Sequence, residues 1–358
     1  MQRKVKTISF KGQDIYVGID VHLKSWVVTI MLEEVVHKTF SQDPDANKLF
    51  AYLQKYFPGG NYHSIYEAGF CGFSIHRELT RVGIHNIVVN PADIPTTDKE
   101  RKQKEDRRDS RKLARSLRNK EVEGIYVPSQ TLEELRGLVR YRKTLSRELG
   151  RHKNRIKSYL YYNGIKIPVE LNSASKYWSR QFTSWLSRLE LSTPQGTMVI
   201  KETLDTAEFL RHKLLFITRE LRKLNKDSAY SKLLSLLQGI PGIGFITALT
   251  ILTELVTITR FRSLDQLCSY FGLVPTTNSS GDKDKVGSIT KRANSLLRVS
   301  IIEAAWIAIR YDPALSLKYV ELRSRMEPQC AIIRIAKKLL NRIRFVIKNE
   351  QEYVCSVI

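Results

Sequence analysis

Asp14-Ile15-Tyr16-Val17-Gly18-Ile19-Asp20 is an apolar, β-branched run that closes on a carboxylate. Branched and aromatic side chains favour extended backbone, so a strand is predicted here. Lys24 to Met31 (KSWVVTIM) continues it after a short turn, and Glu33 to Phe40 reads as a third, antiparallel strand. Asp45 to Phe57 (DANKLFAYLQKYF) carries apolar residues at helical spacing until Pro58-Gly59-Gly60 stops it. His63 to Glu67 is again a strand that ends on an acid, Phe73 to Val82 a helix, and His85 to Asn90 a strand closed by Pro91. Strands interleaved with helices predict an α/β layer in this part of the chain.

Two strands ending on acids would present Asp20 and Glu67 at the carboxyl edge of that sheet, a usual place for ligands in open α/β layers. Lys104 to Arg115 (KEDRRDSRKLAR) suits a helix, and on it Asp106 and Asp109, three residues apart, share a side. Singly, each acid has an ordinary explanation: a turn or cap for Asp20, a surface acid for Glu67, ion pairs on a solvated helix for Asp106 and Asp109. Together, four converging carboxylates need cations, and hard oxygen ligands suit Mg²⁺ or Mn²⁺. Two such ions could clamp the attacking and leaving oxygens of a phosphodiester.

The rest of the chain is helical in pattern. Lys99 to Lys120 holds 11 Lys/Arg against 4 acids, and Arg136 to Lys157 holds 9 against Glu148 alone. A stripe of Leu135, Leu138, Val139, Leu145, Leu149 and Ile156 on that second stretch, and another along Thr203–Leu224, predict two long amphipathic helices around a less regular insert (165–200), as in an antiparallel hairpin or coiled coil. Beyond Tyr230, Ile240-Pro241-Gly242-Ile243-Gly244 separates two helical stretches, either a simple Gly/Pro helix connection or, as the basic charge favours, a helix-hairpin-helix turn whose N–H groups can cradle a phosphate. Thr276 to Gly281 reads as a loop, with helices following near Ala293–Arg310 and Ala331–Lys348. The expected domains are 1–128 (α/β, metal-binding), 129–229 (coiled coil) and 230–358 (mostly α).

Charge narrows the function. The 358 residues carry 59 Lys/Arg against 36 Asp/Glu, a net charge of +23, which favours a polyanionic partner through phosphate attraction and counterion release. Four scattered cysteines (Cys71, Cys268, Cys330, Cys355) form no CxxC or CxxH pattern for zinc or a disulfide framework. The N-terminal MQRKVKTISFKG leads into no apolar signal region, and no stretch approaches the roughly 18 apolar residues of a membrane span. A cytoplasmic, soluble nucleic-acid binder with no membrane partner is predicted.

Gly18-Ile19-Asp20-Val21-His22, Tyr66-Glu67-Ala68-Gly69 and Asp106-Arg107-Arg108-Asp109-Ser110 resemble the three acidic blocks of the insertion-sequence transposases with a RuvC-like Asp-Glu-Asp-Asp domain. This family includes the pilin-gene invertases and the bridge-RNA-guided recombinases. The order and the spacing, 47 residues from Asp20 to Glu67 and 39 from Glu67 to Asp106, agree with it. Lys104-Glu105 precede Asp106 where many members have a Thr, and Ser110 stands where an Ala is common. Downstream, PGIG, Gly272-Leu273-Val274-Pro275, Ser280-Gly281 and Lys291-Arg292-Ala293-Asn294 resemble the C-terminal transposase domain of the same family, with Ala293 replacing a common Gly.

The resemblance implies an RNase H/RuvC-like N-terminal domain and a DNA recombinase whose serine becomes covalently joined to DNA. Ser280 best matches that serine; Ser279 is the adjacent competitor and Ser288 a distant third. From the residues alone, a Ser-Ser-Gly loop is most often a turn. Asp20, Glu67, Asp106 and Asp109 would hold the metal, while Arg107, Arg108, Arg111, Lys112, Arg115, Gly242, Gly244, Lys291, Arg292 and Arg298 would contact nucleic acid. The implied partners are element and target DNA, a structured non-coding guide RNA, and a homodimer pairing into a homotetramer. Two rivals stand beside this reading: a RuvC-like metal-dependent nuclease in which water attacks, and a non-catalytic nucleic-acid-binding protein.

Overall fold

The computed structural model describes residues 9–95, 105–224, 230–280, 283–290 and 292–355. The chain divides into two compact units, Met1–Val127 and Pro128–Ile358.

The first unit is built on a five-stranded mixed sheet. β1 (Asp14–Val21), β2 (Trp26–Leu32) and β3 (Val35–Gln42) form an antiparallel meander, while β4 (Asn61–Glu67) and β5 (His85–Val89) add in parallel on the other side of β1. The resulting order β3-β2-β1-β4-β5 is consistent with the expected RuvC-like fold. α1 (Ala46–Tyr56) begins where the Asp45 carboxylate accepts from the N–H groups of Asn47 and Lys48. It buries Leu49 and Leu53 against Ile15, Val17, Val28 and Ile30. α2 (Ser74–Arg81) links β4 to β5. α3 (Asp106–Arg118) crosses the sheet, burying Leu113 beside Ile65 and Val89.

The crossing of α3 over β1 fixes the geometry of this unit. Gly18 lies directly beneath the helix: a Cβ there would stand 2.0 Å from the Ser110 carbonyl oxygen and 2.5 Å from the Ala114 nitrogen. Glycine permits this backbone-to-backbone approach. Beside it, the Ser110 hydroxyl lies 2.8 Å from that of Thr29 on β2, which lies 2.9 Å from that of Thr39 on β3. The Ser that departs from the common Ala thus joins a buried hydroxyl chain tying α3 to two strands.

In the second unit, α4 (Gln130–Tyr162) starts at a Ser129 cap that accepts from the Leu132 N–H. It packs along α6 (Pro194–Leu224), and α5 (Arg180–Ser187) lies in the insert between them. At the end of the pair nearest the insert, Leu149, Ile156 and Leu160 form a core with Phe182, Ile200 and Leu204. At the other end, Val139 and Leu221 belong to the same apolar cluster as the C-terminal helices. Those helices are α7 (Ser231–Gln238), α8 (Phe245–Leu255), α9 (Leu264–Phe271), α10 (Ser295–Tyr311), α11 (Pro313–Arg323) and α12 (Pro328–Asn349). α11 has no counterpart in the sequence expectation. Asp312 caps it by accepting from the Leu315 N–H, and Pro313 opens it.

The segment expected as a loop is instead a hairpin of β6 (Pro275–Ser280) and β7 (Lys283–Ile289), with Ser280 opposite Lys283 next to its turn. No apolar alternation marks these strands, so hydropathy could not reveal them. Among the described residues no helix is long and apolar enough to cross a membrane.

Candidate metal centre

Asp20 lies near the carboxyl end of β1, and the β1–β4 register, ending at Ile19 opposite Tyr66, carries Glu67 alongside it on the adjacent strand. The close crossing over Gly18 brings the N-terminus of α3 to the same edge, with Asp106 as the first residue of the helix. A helix N-terminus favours negative charge, so Asp106 and Asp109 in its first turn are well placed as anions.

Ligand atoms of Asp20, His22 and Asp106 all lie within 4.8 Å of one another. His22 Nε2 stands 3.2 Å from one Asp20 carboxylate oxygen and 3.3 Å from one of Asp106. Asp109 pairs with Lys112 at 3.6 Å. Burial pushes the Asp20 carboxyl above its ordinary value; His22 opposes the shift, and the charges of Asp106 and Asp109 add to it. The set is therefore a half-buried carboxylate held against two more acids, an arrangement that a cation relieves. Glu67, beside Asp20 on β4, and Asp109, about one turn along α3 from Asp106, are not in this group of three.

Sequence reading passed over His22. It lies two residues beyond Asp20, and strand periodicity of two puts such a pair on one face. A carboxylate–imidazole–carboxylate donor set fits a divalent ion, and the imidazole extends the preference from Mg²⁺ toward Mn²⁺ and later transition metals. A separate concavity, lined by Asp14, Tyr16, Glu34 and Arg118, lies at the opposite end of β1 from the acids.

The basic residues divide into two groups. Arg107, Arg111 and Arg115 recur every four residues along α3 and are exposed, forming a cationic stripe on the helix that delivers the acids. Arg108 is exposed and pairs with Glu105 at 3.1 Å, and Lys112 is half-buried. In the second unit, Arg292 is exposed, while Lys291 and the Gly281 that follows Ser280 lie outside the described residues. The Arg298 guanidinium donates to the Thr290 carbonyl and fills the space over Gly272, where a Cβ would meet its Nη2 at 2.2 Å.

Gly242 has φ +88°, and a Cβ on it would lie 2.2 Å from the Ala304 carbonyl oxygen, so it sits against the backbone of α10. Gly244 opens α8 with no atom within 4 Å of the place a Cβ would take. Nearby, the buried Glu254 carboxylate accepts two hydrogen bonds from Arg140 of α4, at 2.6 and 2.7 Å, and a third from Asn294 at 2.8 Å. Asn294 also caps α10 through the N–H groups of Leu296 and Leu297. The asparagine of the Lys-Arg-Ala-Asn block thus joins the C-terminal helices to the long helix.

Two family models match the chain. One, described as Transposase with the short name DEDD_Tnp_IS110, covers residues 17–162. The other, described as Transposase IS116/IS110/IS902 family, covers residues 234–320. Among similar proteins, the candidate transposase y4rJ of Sinorhizobium fredii is 30% identical over 361 residues, spanning 91% of this chain and 90% of that protein. The candidate transposase y4qE of the same organism is 30% identical over 78% of this chain and 66% of its own length. The transposase for insertion sequence element IS1533 of Leptospira borgpetersenii is 24% identical over 94% of this chain and 96% of its own.

Proposed function

Because the chain belongs to the IS110/IS116 family of insertion-sequence transposases, we propose that its carboxylate edge is the metal-dependent centre for cutting and rejoining DNA. The observation that carries this reading is the meeting of Asp20, His22 and Asp106 within 4.8 Å at the edge of the mixed sheet. Asp20, Glu67, Asp106 and Asp109 would hold Mg²⁺, or Mn²⁺, with His22 as a further donor. Bound there, a divalent ion supplies Lewis acidity toward a phosphate oxygen. The exposed Arg107, Arg111 and Arg115 bind the phosphates on either side and orient the strand.

Ser280 is proposed as the nucleophile. Its hydroxyl attacks phosphorus, the proton passes to solvent, and a DNA hydroxyl leaves, giving a phosphoserine link that a second DNA hydroxyl later reverses. Its backbone position beside a hairpin turn, opposite Lys283, suits a residue that must reach a DNA phosphate. Ser279 is its neighbour on β6 and the alternative. The turn between α7 and α8 is proposed as a helix-hairpin-helix whose open Gly244 faces phosphate, and the α4–α6 pair as a coiled coil. The reading extends to a structured guide RNA that selects element and target DNA by base pairing, and to dimers that pair into a tetramer.

The deciding experiment incubates the protein with element-end DNA in Mg²⁺ and resolves protein–DNA adducts by denaturing electrophoresis. An adduct that needs metal, disappears in Asp20→Asn and maps to a Ser280 peptide by mass spectrometry supports the reading. Metal-dependent cleavage that persists in both Ser280→Ala and Ser279→Ala would assign the attack to water instead.

A further inference from the structure

The α4–α6 pair ends, away from the C-terminal helices, in a surface that the acidic centre does not use. Residues 151–180 carry seven Lys/Arg against a single acid, Glu170. Tyr161 and Tyr162, at the last turn of α4, are 62% and 89% exposed. Tyr162 lies at the rim of a concavity that also takes in Arg151, Asn154, Arg155, Ser158 and Tyr159. Arg151, Arg155 and Tyr162 follow the i, i+4, i+11 spacing of one helical face, so the ring and the two guanidinium groups line up along α4. Beside them Lys157 Nζ stands 3.4 Å from the Tyr177 ring centroid, and Lys153 Nζ 5.1 Å from that of Trp178.

We propose that this end of the helix pair is a platform for single-stranded DNA, with unpaired bases stacking on Tyr161 and Tyr162 and the following phosphates held by Arg155 and Arg151. Large exposed rings beside cations are costly to leave in water, and base faces cover them whatever the sequence. Duplex DNA hides its base faces, so it uses the cations but not the rings. Placing the phosphates about two to three turns back along α4 keeps them away from the carbonyl end of the helix, where the dipole repels anions. DNA is the source because the family to which the chain belongs moves DNA, and cutting and transferring strands exposes unpaired bases. The proposal does not depend on the metal centre.

Fluorescence anisotropy with a labelled dT15 strand, a blunt duplex of equal length and an rU15 strand tests this, using the full-length protein in EDTA so that no cleavage occurs. The paired substitution Tyr161→Ser/Tyr162→Ser is expected to weaken dT15 binding about tenfold and to leave the duplex unchanged. Tyr162→Phe should keep wild-type affinity. Arg151→Ala with Arg155→Ala should weaken both DNA forms and lower the single-strand salt slope by about 1.4, at roughly 0.7 per phosphate. Unchanged dT15 affinity in the tyrosine double variant would overturn the proposal. So would an effect confined to rU15, which assigns the platform to RNA. A fall in molecular mass by light scattering in the tyrosine variant would also overturn it, by making this surface a contact between copies of the chain.

Discussion

Gly18 and Ser110 are in backbone contact: no atom larger than hydrogen fits on the Gly18 Cα without striking the Ser110 carbonyl. This contact places the start of α3, with Asp106, beside the end of β1, with Asp20. Gly18→Ala is therefore expected to cost about 3 kcal/mol, at the upper end for an overpacked site, because two backbones must part. Urea unfolding followed by circular dichroism measures the loss. Metal affinity should fall with it, whereas Gly244→Ala, with open space around it, should change stability little.

Metal binding can be measured without DNA. Calorimetric titration of Mn²⁺ into the protein should show Asp20→Asn and Asp106→Asn each weakening affinity at least about tenfold. His22→Ala should weaken Mn²⁺ more than Mg²⁺, since imidazole favours the softer ion. Burial and neighbouring acids push the Asp20 carboxyl above its ordinary value, so in the acidic range metal competes with its proton. Affinity should rise with pH through the acidic range, and binding heats in buffers of different ionisation enthalpy should reveal proton release. Pure electrostatic screening by His22, without ligation, would instead leave the Mn²⁺/Mg²⁺ ratio unaltered in His22→Ala.

Ser280→Ala should retain Mn²⁺ affinity while losing the covalent adduct, and Asp20→Asn should lose both. Loss of metal binding in the serine variant would show that the substitution acts through folding rather than chemistry.

Glu254 is almost completely buried and holds Arg140 and Asn294 together. Glu254→Ala strands three donor N–H groups, two on Arg140 and one on Asn294, and should destabilise the second unit by about 3 kcal/mol. Asn294→Ala, which removes one donor and the cap of α10, should cost about 1 to 2 kcal/mol. The double variant should cost less than the sum, because the two share a hydrogen bond. Thermal unfolding of the four proteins closes the cycle.

Burial raises the Asp312 carboxyl, but hydrogen bonds from Tyr353 and the Leu315 N–H, and the charge of Arg342, outweigh it and hold the group below its usual value. A carboxylate with a depressed folded pKa stabilises above its unfolded pKa, and that contribution is lost as pH falls through the folded one. Below about pH 4, Asp312→Asn and wild type should therefore converge in melting temperature, with wild type clearly more stable at pH 7. A constant gap across this range would assign the difference to packing.

The edges of the first unit were legible because its central strands are apolar runs that end on acids or turn residues: Asp14–Asp20 became Asp14–Val21, and Phe73–Val82 became Ser74–Arg81. In the structure Asp20 and Asp106 come together with His22, an encounter between residues far apart in the chain. His22 was missed because its two-residue offset from Asp20 places it on the same face but gives no sign of a third donor until the start of α3 brings Asp106 to it. Glu254 was invisible for a different reason. It is the one acid in the apolar Phe245–Leu255 run, and only tertiary structure provides Arg140 from more than 100 residues away. The β6–β7 hairpin is made mostly of polar and charged residues, so its backbone pairing leaves no hydropathy signal. Arg298 looked like a surface cation, yet Gly272 leaves a hollow beneath it that its guanidinium fills.

The bidentate grip of Arg140 on Glu254 gives the long helix a fixed root. From Arg140 to Tyr162 is 22 residues, or about 33 Å at 1.5 Å per residue, close to the rise of one full turn of B-form DNA. α4 is thus a boom of set reach. A strand caught at its tip would be held one duplex turn away from the place where the boom is anchored, and lengthening α4 by a few residues would change that measure without touching either end.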